Sequence, residues 1–181
     1  MSKVYYSAVV IIPPEEKLNA IQEIRKQYDR NIDRWMPHIT LLYPFRPPTQ
    51  YEIIEELFTN VCETVSPFEI SLKNFHYFSH GRQRYTLWLN PEPNSMIIKL
   101  QAKLLKIVPD CNDVNNYENG FKPHLSVGQV GGKDEIRKVI NNLQSEWVQV
   151  KFILNKVFFI SRKKNKMSKF KISKQFPFKK E

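Results

Sequence analysis

A four-residue pattern occurs twice in this chain, as Pro37-His38-Ile39-Thr40 and, 86 residues later, as Pro123-His124-Leu125-Ser126. Both copies are followed by an aliphatic residue, Leu41 or Val127. Side chains on a β-strand alternate between faces. The histidine and hydroxyl of each copy therefore share one face, while Ile39 or Leu125 points into a core. A polar pair set in an apolar strand costs free energy unless it is paired. Its return at a corresponding place in each half favours a duplicated fold in which both pairs line one cleft. Two imidazoles and two hydroxyls there would supply two proton-transfer groups and two hydrogen-bond donors, equipment for displacement at a phosphate without a metal.

The rest of the chain alternates strand and helix signals. Val4–Ile12 is β-branched and aromatic-rich, hence a strand, stopped by Pro13-Pro14. Leu18, Ile21, Ile24 and Tyr28 mark one face of a first helix. The first His strand runs from His38 to about Phe45. Thr49-Gln50-Tyr51-Glu52 fits a capping box opening a second helix, whose apolar face holds Ile53, Ile54, Leu57, Phe58, Val61 and Val65. Strands follow at about Phe68–Phe78 and Arg84–Leu89, joined by the hairpin loop His80-Gly81-Arg82-Gln83. Asn94 or Ser95 caps a third helix carrying Ile97, Leu100, Leu104 and Ile107 inward. After the polar loop Asp110–Gly120 comes the second His strand, Pro123–Val130, then a fourth helix led in by Gly131-Gly132. Two last strands, about Val148–Ser161 and Ser168–Phe176, flank the basic connection Arg162–Met167. The reading is a duplicated α+β architecture with mostly antiparallel sheets.

No run of eighteen apolar residues exists to span a membrane. The two cysteines, Cys62 and Cys111, stand alone, with no metal or redox spacing. With a strand-like rather than signal-like N-terminus, a cytoplasmic, reducing location is expected. Residues 162–181 carry nine Lys or Arg against the single Glu181, so they hold +8 of the formal net charge of +10. Such a segment attracts polyanions, nucleic acid first, or serves as a solvated end of the chain. His76 and His80 are four apart, but on a strand entering a turn they lie too far from each other to favour a shared metal. Among Tyr43, Phe45, Phe75, Tyr77 and Phe78, Tyr43 is the best base-stacking candidate, because it lies just past the first motif.

The paired motifs make this sequence resemble the 2H phosphoesterase family, whose hallmark is two His-x-Thr/Ser motifs and whose members include the 2′-5′ RNA ligases and cyclic phosphodiesterases. The resemblance implies a bilobal fold over residues 1–181, with two mostly antiparallel sheets in a V around a cleft. It implies His38 and His124 as catalytic residues, with Thr40 and Ser126 on the phosphate oxygens. Many bacterial members carry Arg five residues after the second motif histidine. Here that place is Gln129, a neutral donor, and the matching place after the first is Tyr43. Both are candidate substrate contacts.

The expected activity is opening of a 2′,3′-cyclic phosphate, on RNA ends or nucleotides, to a 2′-phosphate by two-histidine acid/base catalysis, with no cofactor, metal or membrane partner and as a monomer. Open alternatives are a 2′,5′-oligonucleotide phosphodiesterase or RNA ligase, and an RNA-binding module without turnover.

Overall fold

The computed structural model describes residues 2–116, 119–165 and 167–180. In chain order its elements are β1 (Ser7–Ile11), α1 (Leu18–Tyr28), β2 (Ile39–Leu42), α2 (Tyr51–Cys62), β3 (Phe68–Ser79), β4 (Arg84–Glu92), α3 (Asn94–Leu105), β5 (Leu125–Gly131), α4 (Lys133–Glu146), β6 (Val150–Leu154), β7 (Lys156–Ser161) and β8 (Lys171–Pro177). The strands hydrogen-bond in the order β6-β3-β4-β5-β2-β1-β7-β8. Every pairing among the described residues is antiparallel.

The order divides into two four-stranded wings of one continuous eight-stranded sheet. They join through one pairing, Ile39 of β2 opposite Leu125 of β5. The two His motifs thus lie at the seam. Ile39 and Leu125 are fully buried in the main core, each side chain stabilising the seam by roughly 1.5–3 kcal/mol.

All four helices pack on that core side. Ile21 and Ile24 of α1, Ile54 and Phe58 of α2, Ile97, Leu100 and Leu104 of α3, and Ile136 and Val139 of α4 join one hydrophobic cluster with the inward residues of the strands. Amphipathic helices bury their apolar stripe this way, and among the described residues the opposite face of the sheet carries no α-helix. Gly128 allows α1 to reach β5: a Cβ there would stand 2.3 Å from the Tyr28 Cβ. On the helix-free face a smaller cluster of Ala8, Val10, Phe158, Ile160 and Phe170 is partly roofed by Trp35, Met36 and Tyr43.

Three local expectations need correction. The single strand expected over Val148–Ser161 is two, β6 and β7, divided at Asn155. β6 pairs with β3 in one wing and β7 with β1 in the other, so the chain crosses between wings where the sequence carries no Gly or Pro to mark a break. The Thr49 capping box is not used. A short 3₁₀ turn over Pro48–Gln50 leads into α2, which has Gln50 at its cap position and no side-chain cap. Proline's φ is already helical, so Pro48 starts the turn early and places Thr49 inside it. Nor do Asn94 or Ser95 cap α3. Pro93 holds the cap position, and the Asn94 amide donates to Asn90 Oδ1 at 3.1 Å. The His80–Gln83 loop does form the β3–β4 hairpin, with positive φ at Gly81, Arg82 and Gln83. Tyr117 and Glu118 of the expected polar loop, and Lys166 of the basic connection, lie outside the described residues.

Candidate active site

Ile39 opposite Leu125 sets the register of the seam. One residue to either side, antiparallel geometry puts His38 across from Ser126 and Thr40 across from His124. Ile39 and Leu125 take the core face, so these four polar side chains take the other. The two histidines are diagonal neighbours, about 7–8 Å apart at the backbone and able to close on one small anion. All four are partly open to solvent. Thr40 also stands opposite Val10, and Ser126 opposite Trp88, which confirms the face.

The proline common to the two motifs has a structural role. His38 Nδ1 lies 2.7 Å from the Met36 carbonyl, and His124 Nδ1 lies 2.8 Å from the Lys122 carbonyl. In each case the residue before the proline supplies the acceptor, with the backbone restricted by the ring. A carbonyl only accepts, so each Nδ1 carries a proton and donates. Nε2 is left as the working nitrogen of both rings, a base when neutral and an acid when protonated.

Both imidazoles are held below their ordinary pKa. Burial pushes His38 down from 6.5 to about 4; its bond to the Met36 carbonyl opposes this, while the Arg25 charge and His124 itself push further down. The effect of His124 on His38 agrees with their shared face. His124 is also lowered, first by burial and then by the Lys122 ammonium, against its bond to the Lys122 carbonyl. Each ring keeps an open edge, yet most of its surface is packed by protein.

Aromatic rings do that packing. Trp35 stacks on His38 at 4.8 Å between centroids, and Phe170 stacks on Trp35 at 3.8 Å. Arg162 lies 5.4 Å above Phe170. Across the seam, Phe78 meets His124 edge-on at 4.9 Å and Trp88 lies 6.0 Å away. Lys122 Nζ sits 5.1 Å from the Trp88 ring centre, so a cation flanks this half as Arg162 flanks the other.

The two candidate contacts fare differently from the four motif residues. Tyr43 packs edge-on against Trp35 at 5.6 Å and donates its hydroxyl to the Tyr5 carbonyl, at the rim of the His38 half. Gln129 is a brace. Its Nε2 donates to Asp29 Oδ1 at 3.2 Å, and its Oε1 accepts from the Arg30 N–H at 3.1 Å. Asp29 accepts from buried Arg25, which in turn donates to the Trp35 carbonyl at 2.8 Å. Gln129 of β5 thereby ties down the segment that seats Trp35 on His38. Phe45 and Phe75 are core residues, whereas Phe78 belongs to the site. Trp35, Trp88 and Lys122 went unread in the sequence; the one available signal is that Trp35 and Lys122 stand just before the two motif prolines. His76 stacks on Trp88 at 4.9 Å, and His80 Nε2 lies 2.8 Å from Thr86 Oγ1. Among the described residues, no group of three His, Cys, Asp or Glu side chains gathers as a metal set. No helix among them is long and apolar enough to cross a membrane.

Two histidine–hydroxyl pairs at the seam of a two-winged antiparallel sheet define a recognisable class. The sequence profile of the 2′-5′ RNA ligase superfamily matches residues 13–166, and the chain belongs to that family. This bears out the resemblance to 2H phosphoesterases at family level. A Bacillus pumilus protein named "Putative phosphoesterase" is 29% identical over 138 residues, spanning 75% of this chain and 77% of its own. A Geobacillus kaustophilus protein, "Putative phosphoesterase GK0864", is 28% identical over 123 residues, 67% of each chain. Solved structures share the fold at low identity. TT0787 of Thermus thermophilus superposes with a TM-score of 0.65 at 17% identity, covering 96% of this chain and 97% of that one. LigT of E. coli in apo form gives 0.65 at 12% identity, covering 99% and 100%. LigT complexed with 3′-AMP gives 0.61 at 14% identity over the same shares.

Proposed function

We propose that this protein is a phosphodiesterase that opens 2′,3′-cyclic phosphates on RNA ends or nucleotides to 2′-phosphates, with His38 and His124 as its acid/base pair. The Ile39–Leu125 pairing carries the reading, because it turns both histidine–hydroxyl pairs onto one face. Membership of the 2′-5′ RNA ligase superfamily and the phosphoesterase names of two relatives support it. So does the 3′-AMP complex of LigT, a nucleotide monophosphate in a protein of the same fold.

The substrate's phosphate sits over the seam. Thr40 and Ser126 donate hydroxyl hydrogen bonds to its non-bridging oxygens, where charge builds as phosphorus gains a fifth ligand. One imidazole, neutral, takes a proton from water at Nε2 as the water oxygen attacks phosphorus. The other, protonated at Nε2, gives its proton to the departing 3′ oxygen of the ribose. The ring opens and leaves a 2′-phosphate, with one proton moved from one histidine to the other. Each transfer typically contributes about 10²–10⁴-fold. Both histidines are depressed in the free protein, so an acid must be made when substrate binds. The phosphate's negative charge does this by favouring the imidazolium beside it. Histidines held low until an anion arrives suit a site that should charge only when filled.

The test is hydrolysis of nucleoside 2′,3′-cyclic phosphates in EDTA by the wild type, His38→Ala and His124→Ala. Loss of about a hundredfold or more in each variant, with a 2′-phosphate product from the wild type, supports the assignment. Full activity in both variants discards it. Salt-sensitive RNA binding with no product from the wild type would make the protein a binding module instead.

A further inference from the structure

A cavity of about 490 Å³, lined by residues of β4, β5 and the end of α1, takes no part in the chemistry above. Its lining includes Arg30, Arg84, His80, Thr86 and Gln129. No Asp or Glu is among the described residues that line it. Arg30 is held to Gln129 through its backbone N–H, which leaves its side chain out of that bond. Among the described residues, neither the Arg30 nor the Arg84 guanidinium has a carboxylate partner. His80 and Thr86 bond to each other and Gln129 to Asp29 and the Arg30 N–H, so the anion-seeking groups here are the two guanidinium groups without carboxylates.

The register connects this cavity to the seam. Thr86 stands opposite Gln129 on β5 and opposite Phe78 on β3. Two residues further along β4, Trp88 stands opposite Ser126. Thr86 and Gln129 thus put one wall of the cavity on the face of the motif pairs, about 7 Å along the strand from Ser126, while Tyr28, Tyr85 and Val130 line it from the helix side. Phe78, which packs on His124, lies between the two. Gln129 is already fixed by Asp29 and the Arg30 N–H, so this wall is formed before a ligand arrives.

We propose that this cavity is a second phosphate subsite, holding the 5′ phosphate of the nucleotide whose 2′,3′-cyclic phosphate reacts over the seam. The assignment of the scissile phosphate rests on the function proposed above; the anion-binding character of the cavity does not. Arg30 and Arg84 bind the 5′ phosphate, and the sugar and base span the Phe78 side of the groove. The substrate class narrows accordingly, to nucleotides that carry a 5′ phosphate or a 5′ phosphodiester, as the 3′-terminal residue of an RNA does.

Binding and turnover are tested separately. Calorimetry compares adenosine 3′,5′-bisphosphate with adenosine 3′-monophosphate on the wild type and on the Arg30→Gln/Arg84→Gln protein. Both arginines are solvent-exposed, so the double variant keeps its fold. The bisphosphate should bind the wild type at least about tenfold more tightly, and the double variant should lose that advantage while holding the monophosphate unchanged. A Lys103→Gln/Lys106→Gln protein removes two positive charges from α3 and the turn after it, and should retain the advantage. Equal binding of both ligands by the wild type overturns the subsite, and so does an advantage that survives in the arginine variant or is lost equally in the lysine variant. In turnover, 5′-phosphorylated adenosine 2′,3′-cyclic phosphate should show a lower KM than the unphosphorylated form, again dependent on the arginines. A protein that binds as described but hydrolyses neither compound refutes the proposed reaction and leaves the subsite standing. Hydrolysis of both with the same KM refutes the subsite and leaves the reaction standing.

Discussion

Acid should weaken the wild-type fold more than that of a His38→Gln variant. Burial holds the folded-state pKa of His38 at about 4, against 6.5 for a free imidazole. Between those values the unfolded chain binds a proton that the folded chain refuses, so stability falls as pH falls. The loss begins near pH 6.5 and levels off below about pH 4. At about pH 5 the full shift corresponds to ~2 kcal/mol relative to neutral pH. The open edge of the ring lets water screen part of this, leaving about 1 kcal/mol. His124 is lowered too and acts in the same direction, but it is common to both proteins. So are the carboxylates. Urea unfolding at about pH 7.5 and about pH 5 therefore isolates His38: the acid-induced drop in midpoint should be smaller in the variant by about 0.5 M. Equal drops in the two proteins would refute the reasoning, because they would mean that His38 titrates alike in the folded and unfolded chains.

Gly128→Ala should destabilise the protein by about 2–3 kcal/mol in thermal or urea unfolding, since the new Cβ would stand 2.3 Å from Tyr28 Cβ and 3.0 Å from Tyr28 backbone atoms. Gly131→Ala, whose Cβ would meet nothing within 4 Å, is the control and should be near neutral; equal effects would mean that α1 does not lie against β5 as described. Gln129→Ala breaks the ties to Asp29 and to the Arg30 N–H. It should cost about 1–2 kcal/mol and let the His38 pKa, followed by NMR, rise toward 6.5 as Trp35 loosens; an unmoved pKa would show that Gln129 does not brace the ring.

What the sequence revealed about the fold and site follows from the range of the interactions involved. The His38 and His124 strands, the helix faces and the β3–β4 hairpin are written in local periodicity and turn chemistry, and they are present, except that Ile53 and Leu57, read into the inner face of α2, are exposed. The seam is not local. Nothing in the spacing of Ile39 and Leu125 says that they pair, although the repeated motif makes a shared face the economical arrangement. The break at Asn155 escaped because the strand residues on both sides continue without Gly or Pro, and only the change of partner from β3 to β1 ends one strand and begins the next. Thr49 matched a capping box by residue type, yet Pro48 decides where the turn begins. Trp35 is in no strand or helix, so no pattern marks it, and its place on His38 depends on a chain of contacts from Gln129 through Asp29 and Arg25. Gln129, read as a replacement for a phosphate-binding arginine, does its visible work on the protein itself.

The convergence of both half-sites on one phosphate can be observed directly. In a titration of histidine-labelled protein with adenosine 3′-monophosphate, followed by NMR, the imidazole signals of His38 and His124 should move together. They should follow one saturation curve at one ligand per protein, with both rings becoming easier to protonate in the complex. Movement of one ring alone, or of the two with separate affinities, would contradict a shared site.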